Sequence, residues 1–74
     1  MTADDPLRET DLEMALRHVI EAELRIARQR VLVERLAAAG GRTAELSQAL
    51  LADFQMTLEA HRAHLARLMP PREG

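Results

Sequence analysis

The sequence predicts an all-α fold: an antiparallel two-helix hairpin, coiled-coil-like, that dimerises into a four-helix bundle. Three observations predict it. Apolar residues recur at alternating steps of four and three along two separate stretches. Between Pro6 and Pro70 the only helix breakers are Gly40 and Gly41. Helix-start and helix-stop residues bracket both stretches.

The 74 residues make one small domain, 1–74, with helix 1 over about 6–39, a turn at 40–43, helix 2 over about 44–69 and a short tail at 70–74. Helix 1 has two candidate starts. Asp5-Pro6 offers a cap followed by a proline at the first helical position. Thr10-Asp11-Leu12-Glu13 offers a capping box. The run Ala37-Ala38-Ala39 before Gly40-Gly41 reads as a helix end with a left-handed glycine. Thr43 is the expected cap of helix 2, with Glu45 in its first turn. Helix 2 stops before Pro70-Pro71, because a proline disfavours the helical region for the residue ahead of it. At 1.5 Å per residue the expected rods are about 50 and 39 Å long, so helix 1 would overhang by roughly two turns. The short loop makes them antiparallel.

Helix 2 carries the seam Ser47, Leu51, Phe54, Leu58, His61, Leu65, Leu68. Helix 1 carries Leu12, Leu16, Val19, Glu23, Ile26, Arg30, Val33, Ala37. With the turn centred near 41 and 42, the expected layers set Val33 against Leu51, Arg30 against Phe54, and Ile26 against Leu58. They also set Glu23 against His61, Val19 against Leu65, and Leu16 against Leu68. The expected hairpin core is therefore Leu16, Val19, Ile26, Val33, Leu51, Phe54, Leu58, Leu65 and Leu68. Glu23, His61 and Arg30 form an expected buried polar layer that fixes register. Arg30 opposite Phe54 suggests a cation–π contact.

Helix 1 has a second seam, Ile20, Leu24, Ala27, Val31, which widens its apolar face beyond what one partner needs. Helix 2 has an alanine-rich back, Ala49, Ala52, Met56, Ala60, Ala63, Ala66. A two-helix chain without disulfide or metal has little core, and such scaffolds generally oligomerise. The second seam is thus the expected dimer seam, and a homodimer the expected state. Another helical protein is the other candidate partner.

Composition narrows the chemistry. There is no cysteine, so there is no disulfide framework and no thiolate metal site. Phe54 is the one aromatic residue, which disfavours both a base-stacking surface and an aromatic-lined pocket. Ser47 and the histidines lie at opposite ends of helix 2, and there is no Gly-rich phosphate loop. No catalytic residue, cofactor or metal site is expected, and the chain is read as non-enzymatic. Two alternatives concern Glu23, His61 and His64: a pH-sensitive layer, or a metal ligand set. The second lacks the converging carboxylates of di-metal bundles.

All ten basic residues are arginine and the net charge is −2. Arg25, Arg28, Arg30 and Arg35 form the basic cluster, and Arg25, Arg28 and Arg35 are candidate phosphate contacts. Interleaved Glu21, Glu23 and Glu34 favour an ordinary solvated face instead. In topology alone a paired hairpin resembles the Rop family of plasmid copy-number regulators, which implies an RNA- or DNA-binding regulator as the rival reading. The acidic N-terminus lacks the apolar core of a signal peptide, and no apolar run approaches a membrane span. Together with Ala-, Leu- and Arg-rich usage, this makes a bacterial cytoplasmic protein the expectation.

From Arg25 to Leu68 the chain resembles a group of short, uncharacterised bacterial helical-hairpin proteins. The residues that carry the resemblance are Ile26, Gln29, Leu32, Val33, Leu36, Gly40, Thr43, Phe54, Leu58 and His61. It implies the hairpin and transfers no activity.

Overall fold

A computed structural model describes residues 8–71 as two helices, α1 (Asp11–Ala37) and α2 (Gly41–Leu68), packed against each other, with no strand among the described residues. The all-α hairpin read from the sequence is the architecture observed.

Of the two candidate starts, the capping box begins α1. Glu13 donates its main-chain N–H to Thr10 Oγ1 at 3.0 Å, and Thr10 N–H donates to Glu13 Oε1 at 2.8 Å. Two of the helix's orphan donors are satisfied reciprocally. Residues 8–10 are not helical, so α1 does not reach back to residue 6; Asp5 and Pro6 themselves lie outside the described residues. The helices are 27 and 28 residues long, and the expected overhang of α1 disappears.

At the turn, Ala39 and Gly40 both donate to Leu36 O at 3.1 Å, closing α1. Gly40 (φ 66°, ψ −162°) and Gly41 (φ 80°) then reverse the chain through backbone regions that L-residues avoid. The reversal delivers the chain straight into α2 at Gly41. Thr43 therefore sits inside the first turn, and α2 has no side-chain cap. At the far end Met69 is extended, as its position before Pro70 requires.

Between the helices, α2 presents Ala44, Ser47 and Leu58 as buried residues, with Leu51, Phe54, His61, Leu65 and Leu68 half-buried. This is the seam read from the sequence, extended by Ala44. On α1 the buried residues are Ala15, Val19, Ala22, Ile26 and Gln29, with Val33 and Leu36 half-buried. That run also alternates four and three. It shares Val19, Ile26 and Val33 with the expected seam but replaces Leu16, Glu23 and Arg30 by Ala15, Ala22 and Gln29. The physical reason is desolvation. The expected stripe would bury two charges, whereas the observed one buries none.

Ile26 and Leu58 pack in one core cluster, as the expected layers set them, but two other pairings differ. His61 packs on His18, and Arg25 lies over Phe54, two contacts one heptad apart on each helix. The expected partners had been Glu23 and Arg30, five residues further along in each case. The core is thin. Its buried apolar members are Ala15, Val19, Ala22, Ile26, Ala44 and Leu58, half of them alanines.

Candidate interaction surface

Turning α1 onto its small-residue stripe leaves its larger apolar side chains outside. Leu16, Ile20, Leu24 and Val31 are each 47–51% exposed, and Ala27 is exposed beside them. At 100° per residue this outer stripe lies roughly 140° around α1 from the buried one. The sequence reading had the two seams side by side; the structure places them nearly back to back. Leu16, assigned to the core, belongs to the outer stripe. The four residues expected as a dimer seam, Ile20, Leu24, Ala27 and Val31, are all exposed. Leu32, Leu46 and Leu50, in the halves of the two helices nearer the turn, are exposed as well.

Charges border the outer stripe on both sides. Glu21, Arg28 and Arg35 lie along one edge, and Glu23 and Arg30 along the other. Arg17 joins Glu9 (Nε–Oε2 2.8 Å) and Glu21 (3.3 Å). The hydrogen bond from Arg17 holds the Glu9 carboxyl below its ordinary value, and the same bond pushes the Arg17 guanidinium up. Arg62 bridges Glu23 (3.1 Å) and Glu59 (3.2 Å), and its hydrogen bond to Glu23 raises it too.

The expected buried polar layer is not formed. Glu23 and Arg30 are exposed, and His61 is half-buried against His18, with ring centroids 5.0 Å apart and planes at 44°. Glu23 meets Arg62 instead of His61, so the expected carboxylate–imidazole pair is absent. The buried polar residues are Gln29 and Ser47. Gln29 Nε2 donates to Ser47 O at 2.8 Å, and Ser47 Oγ donates to Ala44 O at 2.7 Å. Sequence reasoning missed Gln29 and the alanines. The signal was a stripe of uncharged residues at strict four–three spacing.

Among the described residues, hollows lie along the helix interface, two of which bear on the predicted site residues. The larger, about 450 Å³, is floored by Ile26 and Leu58 and rimmed by Glu23, Arg30, Glu59 and Arg62. Three of its four rim charges are already paired with one another. The smaller, about 90 Å³, is bordered by Asp11, His18 and His64 among others. Among the described residues no group of three or more His, Asp or Glu is placed to hold a metal ion. Nor is any described helix long and apolar enough to cross a membrane.

The candidate phosphate contacts divide. The Arg25 guanidinium lies 5.5 Å from the Phe54 ring centroid, the cation–π position expected of Arg30. Arg28 and Arg35 are exposed.

Compared with protein-family models, characterised proteins and solved structures, the chain matches none.

Proposed function

We propose that this chain is a non-enzymatic helical-hairpin interaction or scaffolding module whose first partner is a second copy of itself, giving a four-helix assembly. One observation carries the reading: the outer stripe Leu16, Ile20, Leu24, Ala27 and Val31 is exposed on the side of α1 turned away from α2. Large contiguous apolar patches are rare on monomers and mark interaction sites. The thin core adds a stability argument, since a hairpin with six buried apolar residues among those described gains from covering a second face. The Lys-free, arginine-rich composition supports a bacterial setting.

The test is the concentration dependence of thermal unfolding, followed by circular dichroism from low micromolar to several hundred micromolar. A self-associating fold melts higher as concentration rises. A melting temperature independent of concentration would overturn the reading. A salt-sensitive shift of labelled RNA hairpins, lost in Arg28→Ala/Arg35→Ala, would put a Rop-like nucleic-acid regulator in its place.

A further inference from the structure

We infer that two copies pair antiparallel through the outer faces of their α1 helices, in one register set by the charges beside the stripe. The inference rests on the self-association proposed above and specifies its geometry. The outer stripe Ile20, Leu24, Ala27, Val31 steps by four, three and four, the spacing of a coiled-coil seam. A two-fold axis running between the two α1 helices, at right angles to them and level with the middle of the stripe, sets Ile20 against the partner's Val31 and Leu24 against the partner's Ala27. The operation is isologous, so each contact occurs twice.

The bordering charges fit this register. On one edge Glu21 meets the partner's Arg28. On the other Glu23, which also holds Arg62 of its own hairpin, comes beside the partner's Arg30. At the ends of the stripe Arg17, joined to Glu9 and Glu21 within the hairpin, comes opposite the partner's Glu34. All three pairs are opposite in sign, and symmetry doubles them. Sliding by one heptad in one direction sets Glu21 on the partner's Glu21 and Glu23 on the partner's Glu23. Sliding the other way sets Arg28 on the partner's Arg28 and Arg30 on the partner's Arg30. A parallel pairing stacks Arg17 on the partner's Arg17 and Glu34 on the partner's Glu34. Like charges in these places are disfavoured, so the same residues that favour one register oppose its neighbours.

The hairpin's smallest extent is 14 Å, one layer of helices. Because the outer stripe lies away from α2, the pair forms a row with the two α1 helices in the middle and an α2 on each flank.

The sequence has no cysteine, which makes disulfide mapping clean. In Ile20→Cys/Val31→Cys the two thiols of one chain lie about 16 Å apart along the helix, too far to join. Oxidation should give a covalent dimer, and trypsin should release the peptide holding position 20 linked to the one holding position 31. Links of 20 to 20 and 31 to 31 would overturn the antiparallel register. A chain that sediments as a dimer but forms no covalent dimer would place the interface elsewhere, with Leu32, Leu46 and Leu50 the next surface. That result would leave self-association standing, whereas a wild-type monomer would remove both.

A second readout avoids cysteine. Arg28→Glu sets two repulsive pairs across the axis and should raise the dimer dissociation constant about tenfold. Adding Glu21→Arg restores opposite charges and should recover most of the loss. Equal weakening by the single and double variants, both fully helical, would contradict the register.

Discussion

Gln29 on α1 donates its side-chain amide to the main-chain carbonyl of Ser47 on α2, 2.8 Å away, and both residues are buried. This bond ties the two helices together near the turn by a group that carries no charge. It explains how a polar residue sits in the α1 seam while Glu23 and Arg30 stay in solvent.

Gln29→Glu should destabilise the hairpin by about 2–3 kcal/mol near neutral pH, because a buried carboxylate would face a carbonyl oxygen. Gln29→Leu should cost less, since Ser47 O lies within α2 and the methyls would fill the seam. Urea unfolding of the three proteins checks the order. A carboxylate tolerated as well as leucine would show that position 29 is not dry.

Gly40 holds φ 66° and ψ −162°, and a Cβ built there meets no atom within 4 Å. The cost of a side chain is therefore backbone strain alone, about 1–3 kcal/mol. Gly40→Ala and Gly40→Leu should lower stability by similar amounts. A leucine much worse than alanine would reveal a steric neighbour.

Arg17 holds the Glu9 carboxyl below its ordinary value chiefly by hydrogen bonding. A depressed carboxylate contributes stability that is complete above its unfolded value and is lost as pH falls through the folded one. Both groups are exposed, so the effect is small. Wild type should melt slightly above Glu9→Gln near neutral pH, and the two should converge in acid, below the ordinary carboxylate range. A gap that persists there would contradict the assignment.

The limits of the sequence reading trace to particular residues. The capping box at Thr10, the double-glycine turn and the whole α2 seam were legible, because each is a local pattern with a local cause. The face of α1 was not read correctly. Leu12 and Leu16 drew the expected seam towards the larger side chains, at the cost of burying Glu23 and Arg30. The fold packs Ala15, Ala22 and Gln29 instead, since avoiding buried charge outweighs filling volume. The outer stripe was legible as an excess of apolar surface, but its place opposite the core depends on that rotation. The Ile26–Leu58 layer was legible, whereas the partners of His61 and Phe54 were not, because the seam of α1 turned towards its small residues.

Self-association through the outer face of α1 is the central claim. Sedimentation equilibrium of the wild-type chain beside Leu24→Glu tests it most directly. Leu24 is 51% exposed in the hairpin, so the substitution touches the proposed interface and not the core. The wild type should show twice the 8.3 kDa chain mass, and Leu24→Glu a single chain with its helicity retained. A wild type at 8.3 kDa at every concentration, or a Leu24→Glu variant that dimerises equally well, would contradict it.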